Sequence, residues 1–269
     1  LTFSDLLFGL LHLFRVWFIK PSPKEVFGID FSALVREELL SGGGYNSALE
    51  GLLNYRFAKR LKKKSFDLSL VIDWFENQVV DKGWNAGFNK FYPKIINKGY
   101  RGSAPPLLYI CSSSPSGLER SSGVLPSIIC VIGDGYIKPI KEFSRDLIVE
   151  KAPALRFDHL WNVGGISFNK KKYNILIGLS FFIEESINIL NLVIGAIKNT
   201  HLDNYSFKIS LHPAVTQKKL LRSFNGNWPE SFNIVGGINN LLSTTDLLIS
   251  GGLSGICLES VSLGIPTIV

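Results

Sequence analysis

The chain has 269 residues, enough for one large domain or two small ones with a buried core. Its apolar fraction of 46% excludes a disordered chain, and its three widely spaced cysteines, none in a Cys-x-x-Cys pair, argue against a disulfide scaffold and against zinc. A net charge of +7 favours acidic partners such as nucleotides, anionic glycans or a membrane surface, whereas the sequence contains no recognisable nucleic-acid-binding motif.

The N-terminal segment, residues 1–19, is the most apolar part of the chain and is predicted to be helical. Asp5, His12 and Arg15 interrupt it, so we predict no membrane span. Its large apolar side chains share one helical stripe: Phe3, Leu7, Leu10, Phe14, Trp17 and Phe18. Such a stripe is typical either of a core helix, which we favour, or of a helix that lies on a bilayer.

Two further helices are predicted over residues 31–40 and 46–64. The second carries four cations at i, i+3, i+4, i+7 spacing: Arg56, Lys59, Arg60 and Lys63. This basic face is either solvated or directed at an anion or a membrane. We expect a cytoplasmic protein, and an anionic surface at the inner face of the cell membrane is one of its candidate partners.

The rest of the first half alternates between strands and helices. Strands are predicted over 67–72, 94–99, 107–110, 127–132 and 147–149, a helix over 77–91, and a Ser/Gly/Pro-rich loop over 112–123. Residues 158–172 are predicted to form a boundary or linker.

The second half shows the same alternation more clearly. Strands are predicted over 173–179, 206–211, 232–235, 247–250 and 266–269, and helices over 184–198, 217–224, 238–244 and 255–263. Strands and helices joined by short turns predict parallel sheets covered on both faces, hence an α/β fold with domains over 1–157 and 158–269. Because the last strand has no closing helix, we expect the natural protein to continue beyond Val269.

A Gly-rich turn after the strand 247–250 is the first candidate ligand site. It contains Ser250, Gly251, Gly252, Ser254 and Gly255 and leads directly into a helix. Glycines let the backbone approach a ligand, and the helix start offers free N–H groups and a positive dipole end to a phosphate. The same turn also fits a tight strand–helix connection without a ligand.

Three more residues of the second half are candidate ligands. Glu259 lies on an otherwise apolar helix, where it can accept both hydroxyls of a ribose or be an exposed acid. Lys208 and His212 point to the same side of the strand 206–211. Pro213 ends this strand and holds His212 extended at its carboxyl edge, where ligands bind in open parallel sheets.

In the first half, the strand 67–72 leads into the sequence Asp73-Trp74-Phe75-Glu76. Carboxylates at the carboxyl end of a strand are well placed to act as a general base, and Glu76 is the candidate. The alternative is that Glu76 stabilises the start of the following helix through the dipole. Arg101 and Arg156 are isolated cations near predicted strand ends, where either can bind phosphate or carboxylate.

Several of these motifs resemble a known family. The segment from Asp246 to Pro266 resembles the donor-site segment of GT-B glycosyltransferases, and the segment Lys208–Pro213 resembles the His-Pro strand end of surface-polysaccharide transferases. Residues 76–78, followed by 91–93 and 99–100, resemble the acceptor-side half of capsule and lipopolysaccharide transferases. The resemblance covers most of residues 66–269.

This resemblance implies two Rossmann-like domains facing across a cleft, an acceptor-side domain and a nucleotide-sugar-binding domain, with no metal and no cofactor. Ser254 and the surrounding turn would hold phosphate, Glu259 the ribose, and His212 the nucleotide phosphate or leaving group. Where relatives often carry Gln-His after Gly-Tyr, this chain has Arg101-Gly102. The acceptor side therefore departs from the family pattern.

The function predicted from the sequence is transfer of a sugar from a nucleotide-sugar to a growing surface glycan, with a glycan or lipid-linked glycan as acceptor. One alternative keeps the fold and changes the reaction to that of a UDP-sugar 2-epimerase. The other is a non-catalytic nucleotide- or glycan-binding module of a polysaccharide export complex. Binding of nucleotide would separate the enzymes from an idle scaffold.

Overall fold

The structure, a computed structural model, describes residues 2–20, 25–26, 28–41, 44–103, 114–162, 172–198, 201–236, 241–252 and 254–269. It divides into two compact units, Leu1–Leu155 (unit 1) and Arg156–Val269 (unit 2). Each unit is built on a parallel sheet, so the α/β fold with two Rossmann-like halves predicted from the sequence is confirmed.

Unit 1 begins with a helical layer that precedes its sheet. The elements of this layer are α1 (Phe3–Leu10), α2 (His12–Phe18), a small antiparallel pair of β1 (Glu25–Val26) and β2 (Ile29–Asp30), α3 (Ser32–Ser41) and α4 (Tyr45–Lys63). The predicted helix over 1–19 is therefore two helices joined at Leu11. Among the helices that the structure describes, none combines the length and apolar character that a bilayer-spanning segment needs.

The Rossmann-like part of unit 1 follows. Its elements are β3 (Leu70–Trp74), α5 (Val79–Phe91), β4 (Ile96–Arg101), α6 (Gly117–Ser121), β5 (Ile128–Val131), α7 (Ile137–Ile140) and β6 (Val149–Lys151). The described strands pair in parallel and in chain order, β3-β4-β5-β6. Helix α5 packs closely on α4, because Gly83 lies against the Gly51 carbonyl with no room for a Cβ.

Two predictions for unit 1 are wrong. Residues 112–123 contain the helix α6, because Ser116 and Glu119 form a capping box that the loop-like composition hides. The stripe on 1–19 is not a core face: its side chains are largely exposed, while Asp5 and Gly9 form the buried side of α1. The strand predicted over 107–110 lies outside the described residues.

The predicted basic face of α4 is also divided. Arg56 and Arg60 both form ion pairs with the buried carboxylate of Asp5 on α1, so these two cations hold the layer together. Lys59 and Lys63 are exposed. The i, i+3, i+4, i+7 spacing cannot distinguish the two pairs, because the helix on which α4 packs is distant in the sequence.

Unit 2 contains the second parallel sheet. Its elements are β7 (Tyr173–Gly178), α8 (Ile183–Ile197), β8 (Tyr205–Ser210), α9 (Gln217–Ser223), β9 (Phe232–Val235), β10 (Leu247–Ser250), α10 (Gly255–Ser262) and β11 (Thr267–Ile268). The described strands lie in the order β11-β10-β7-β8-β9. Residues of β7 alternate between two cores, with Ile177 packed on the α8 side and Leu176 on the α10 side.

One segment at the start of unit 2 differs from expectation, and another is described only in part. Residues Leu155–Asn162, most of which were predicted to begin a linker, form a 3₁₀-helical segment that packs beside α10; residues 163–171 lie outside the described part. Of the helix predicted over 238–244, residues 238–240 lie outside the described part, and the remaining residues contain a short 3₁₀ turn at Leu242–Thr244.

Candidate functional site

The strand order of unit 2 places a crevice at one edge of its sheet. Ser250, Gly178 and Ser210 are neighbours across β10, β7 and β8, so the carboxyl ends of these strands form one row. From β7 the chain proceeds to β8 and β9 on one side and then crosses back to β10 on the other. In open α/β sheets, ligands bind beyond the carboxyl ends at the point where the strand order reverses, here between β7 and β10.

The turn after β10 forms one wall of this crevice. The Ser250 hydroxyl is buried and donates to the Gly178 carbonyl at 2.9 Å, so it joins the two strands. Gly251 lies against the Glu185 carboxylate from the first turn of α8, and the Cys257 thiol donates to the Gly251 carbonyl. Burial raises the pKa of the Cys257 thiol, which keeps it protonated as a donor.

The start of α10 adds backbone N–H groups to the same wall. Ser254 occupies the N-cap position, but its side chain makes no capping hydrogen bond. The first helical residue, Gly255, lies near the Arg156 guanidinium, with 3.9 Å from Nη2 to the position that a Cβ would take. This region therefore combines the N-terminus of a helix, the Ser254 hydroxyl and the Arg156 guanidinium. Such groups suit the binding of an anion.

Glu259 has a partner that the sequence did not reveal. Its Oε2 lies 3.1 Å from Nε2 of His159, which belongs to the 3₁₀ segment Leu155–Asn162. The Glu259 side chain is mostly buried, with 13% exposed. Glu259, the residue predicted to bind the ribose, is thus oriented by the His159 imidazole. It lies one turn into α10, the helix whose start forms the crevice wall.

His212 lies on the opposite side of β7, two residues beyond the end of β8. Its Nδ1 accepts a hydrogen bond from the Ala214 N–H at 3.2 Å, and Phe181 contacts the ring edge-on. In the neutral ring the hydrogen is then on Nε2, which can donate to an anionic oxygen. Pro213 follows in an exposed turn closed by a hydrogen bond from the Val215 N–H to the His212 carbonyl.

Lys208 lies farther from the crevice than His212. It is half-buried in the middle of β8, where its register partners are Leu176 and Asn233. It lies two positions before Ser210 at the carboxyl edge, which is about 6.6 Å along a strand. Gly252 lies in the turn itself, where a Cβ would contact the Val269 side chain at 3.1 Å.

In unit 1, Glu76 lies just beyond the carboxyl end of β3. The Trp74 indole N–H donates to its Oε1 and the Gln78 amide donates to its Oε2, both at 3.0 Å. The start of α5 is instead capped by Asp81, which accepts the backbone N–H groups of Glu76 and Gln78 at 2.9 and 3.0 Å. Asp81 therefore provides these capping hydrogen bonds at the start of α5, and the Glu76 carboxylate accepts none of them.

A second carboxylate, Asp73, lies near the carboxyl end of β3. Asp73 accepts a hydrogen bond from Asn85 at 3.1 Å, and burial together with the nearby charge of Asp81 raises the pKa of Asp73 to about 7. Arg101 ends β4 and is buried; burial lowers its pKa, and the negative charge of Glu76 opposes that change. The sequence placed Asp73 at the strand end but gave no sign that it titrates near neutral pH.

Two aromatic rings complete this edge. Trp74 is 46% exposed and meets Tyr100 edge-to-face, with 5.7 Å between ring centroids. The Tyr100 hydroxyl donates to the Pro153 carbonyl at 2.8 Å, which fixes the ring. Gly102 passes so close to both rings that a Cβ would collide with them. The glycine that departs from the family pattern is therefore required by the rings that it contacts.

Among the described residues, no group of three His, Cys, Asp or Glu side chains is arranged to hold a metal ion. The described cysteines, Cys130 and Cys257, are free.

No protein-family model matches the chain, and no curated protein matches it. The solved structures that are similar in fold include the following three. The S. aureus MnaA–UDP co-structure matches with a TM-score of 0.54 and 14% identity, over 100% of this chain and 69% of its own. The GtfA/B complex matches with a TM-score of 0.51 and 14% identity, over 81% of this chain and 44% of its own. The Methanocaldococcus jannaschii UDP-GlcNAc 2-epimerase in complex with UDP-GlcNAc and UDP matches with a TM-score of 0.50 and 16% identity, over 83% of this chain and 64% of its own.

The chain thus spans 44% to 69% of the length of these structures. At such identities the similarity shows the fold alone. That fold is GT-B, with two Rossmann-like halves, as the resemblance in the sequence implied.

Proposed function

We propose that this protein is a nucleotide-sugar-dependent glycosyltransferase of surface-glycan synthesis, with the donor nucleotide in unit 2 and the acceptor-activating base, Glu76, in unit 1. The observation that carries the proposal is the crevice between β7 and β10, where a Gly-rich turn and a helix start follow β10, with His212 beyond the end of β8 in the same row of strands. These are the groups that a nucleoside diphosphate requires.

The donor diphosphate binds to the backbone N–H groups at the start of α10, assisted by Ser254 and Arg156. His212 donates through Nε2 to a phosphate oxygen on the other side of β7. When the sugar is transferred, negative charge grows on the departing phosphate, and oriented N–H groups, a helix dipole and cations stabilise it. This arrangement supplies the stabilisation from the protein's own groups, and we propose that no metal is needed.

The nucleoside is held through its ribose by Glu259. One carboxylate oxygen is engaged by His159, and the carboxylate accepts a ribose hydroxyl in addition. Two of the solved structures of similar fold contain UDP, and one of these two also contains UDP-GlcNAc. We therefore propose a uridine nucleotide as the first ligand to test.

The acceptor is a growing surface glycan, free or lipid-linked. Glu76 takes the proton of the acceptor hydroxyl, the oxygen forms a bond to the anomeric carbon of the donor sugar, and the nucleotide leaves with the electron pair. Trp74 and Tyr100 offer an apolar surface beside Glu76, on which a sugar ring can pack. This use of the rings extends the proposal to acceptor binding.

Nucleotide binding tests the proposal most directly. Unfolding temperatures are measured with UDP, CMP, GDP and CDP, followed by calorimetry with the best ligand. We expect one nucleotide to stabilise the chain, and Glu259→Ala to reduce that stabilisation. If none of the four raises the unfolding temperature, the protein is an idle module and the proposal is wrong.

A UDP-sugar 2-epimerase is the second candidate, and one observation favours it. The crevice contains Glu185, held against Gly251, in addition to Glu259, so more acids surround it than the sequence predicts. Incubation with UDP-N-acetylhexosamine in the absence of an acceptor separates the two reactions. An epimerised UDP-sugar identifies the epimerase, whereas a transferase leaves the 2-position unchanged.

A further inference from the structure

The stripe on α1 and α2 is one continuous apolar surface. Leu11 joins the two helices with right-handed helical angles, φ −60° and ψ −9°, so the helical spacing continues across the joint. Its members and their exposed fractions are Phe3 81%, Leu6 44%, Leu7 45%, Leu10 51%, Leu13 50%, Phe14 66%, Trp17 66% and Phe18 83%. A contiguous set of this size marks an interaction surface, unlike apolar residues scattered singly.

The opposite side of α1 is fixed on α4 by small and charged residues. A Cβ on Gly9 would overlap the Leu49 side chain, so the helices approach closely there. Burial alone would raise the pKa of Asp5, but hydrogen bonds from Thr2 and the guanidinium groups of Arg56 and Arg60 outweigh it and hold the pKa well below its usual range. The ionised carboxylate therefore faces α4, and the apolar face is directed outward.

A cavity of about 540 Å³ opens onto this surface. Ten of its lining residues come from α2, α3 and α4, among them Leu13, Phe14 and Trp17 of α2, Glu38 and Leu39 of α3, and Ala48 of α4. These three from α2 are at least half exposed, so they form the mouth of the cavity on the stripe. Burial and the nearby Arg15 lower the pKa of His12, which also lines the cavity. The volume suits a small apolar ligand or one hydrocarbon chain.

Lysines flank the stripe at both ends. Helices α1 and α4 run antiparallel, because Asp5 contacts Arg56 and Arg60 whereas Gly9 contacts Leu49. The carboxyl end of α4, with exposed Lys63 and Lys64, therefore lies near the first turn of α1. Exposed Lys20 follows the other end of the stripe. Apolar residues between basic flanks are typical of a helix that lies in the interface of an anionic bilayer.

We propose that α1 and α2 dock this protein onto an anionic phospholipid bilayer, with one lipid hydrocarbon chain seated in the cavity between α2, α3 and α4. The charge pattern favours a bilayer over a second copy of the chain. Two copies paired head to tail through the stripe would bring Lys20 of one copy against Lys63 and Lys64 of the other. The inference does not depend on the transferase chemistry, since lipid binding needs no sugar donor.

Vesicle flotation of the full chain tests the surface. We expect binding to phosphatidylcholine vesicles that contain phosphatidylglycerol, weaker binding to phosphatidylcholine alone, and loss of binding as salt rises. Phe14→Glu should reduce binding about tenfold or more, because it places a charge in the inserted face. The matched control is Phe143→Glu, at a similarly exposed phenylalanine elsewhere in unit 1, which should bind normally.

Charge reversal and cavity filling test the details. Lys63→Glu with Lys64→Glu should weaken binding to anionic vesicles, while Lys218→Glu with Lys219→Glu should not. Trp17 fluorescence should be quenched by lipids with brominated hydrocarbon chains, and Ala48→Phe, which fills the cavity, should reduce that quenching. Trp17→Phe identifies the signal among the other tryptophans, and thermal melts verify that each variant is folded.

Three results would overturn the proposal. The first is Phe14→Glu binding vesicles as well as the unchanged chain. The second is a lipid-free dimer that Phe14→Glu converts to a monomer, which would assign the stripe to a second copy. The third is quenching of Trp17 that Ala48→Phe leaves unchanged, which would remove the hydrocarbon chain from the cavity.

Discussion

The two units contain the same kind of parallel sheet, but different chemical groups lie at the carboxyl ends of their strands. At the edge of unit 2, glycines, a helix start and hydroxyl groups leave backbone N–H groups accessible, and the side chains of Glu185 and His212 lie at the same edge. The edge of unit 1 consists of carboxylates, a buried arginine and two aromatic rings. Backbone N–H groups suit the binding of a diphosphate. Carboxylate, guanidinium and aromatic side chains suit proton transfer and the recognition of an acceptor.

The strand orders help to explain this difference. In unit 2 the order reverses beside β7, so the crevice follows from the path of the chain and needs only small residues to stay open. In unit 1 the described strands lie in chain order, without a reversal. Its candidate site therefore depends on the side chains at the ends of β3 and β4.

The largest expected effect tests the side-chain edge. Glu76→Gln should reduce turnover by roughly 100-fold or more, because the amide cannot take the acceptor proton. Nucleotide affinity should hardly change, since the substitution lies in unit 1. Single-turnover rates and calorimetry measure the two quantities, with Glu142→Gln, an exposed glutamate of the same unit, as control. A stable Glu76→Gln protein with normal turnover would remove Glu76 from catalysis.

The converse result is expected at the backbone edge. Glu259→Ala should weaken nucleotide binding by about 1–3 kcal/mol, the usual effect of losing a hydrogen bond to a charged group. Glu230→Ala, at an exposed glutamate of unit 2, should bind nucleotide normally. Titration calorimetry compares the two. If Glu259→Ala and Glu230→Ala bind nucleotide with equal affinity, the Glu259 carboxylate serves only to hold His159.

The two edges also differ in how they respond to pH. The pKa of Asp73 is raised from 3.8 to about 7 in the folded protein, so the folded state keeps its proton over a range in which the unfolded chain has lost it. Stability should therefore fall as pH rises from about 4 to 7, by about 1–2 kcal/mol after allowance for partial exposure to water.

Denaturant unfolding across this pH range checks the effect. Asp73→Asn should flatten the decrease, while Asp146→Asn, at an exposed aspartate of unit 1, should retain it. The opposite dependence belongs to Asp5, whose lowered pKa contributes stability that is lost only as pH falls below about 4. An Asp73→Asn protein with the same slope as the unchanged chain would show that Asp73 is not the titrating group.

Local pattern was enough to predict much of the fold. Apolar runs gave the strands of unit 2 to within one or two residues, and the turn after β10 was recognised by its glycines. Partnerships between distant residues left no local signal. His159 lies 100 positions before Glu259, and Asp5 lies 51 before Arg56.

The same limit explains the error over the N-terminal stripe. Helical spacing defines an apolar face but does not say which way that face points. The direction was decided by Gly9, which allows close contact with α4, and by Asp5, whose two arginine partners lie on that helix. Recognising it from sequence would require knowing that α1 packs on α4.

The smallest expected effects separate two serines of the same turn. Ser250→Ala removes a buried hydroxyl that joins β10 to β7, so it should lower stability by about 1 kcal/mol and leave nucleotide affinity unchanged. Ser254→Ala removes a hydroxyl that makes no capping bond, so it should weaken nucleotide binding by a similar amount and leave stability unchanged. Thermal melts measure the stability of each variant, and calorimetry measures its nucleotide affinity. Because the two hydroxyls are four residues apart in one turn, a general distortion would lower both quantities in both variants. Loss of affinity in Ser250→Ala alone would transfer the phosphate contact to the strand end and contradict the role proposed for the start of α10.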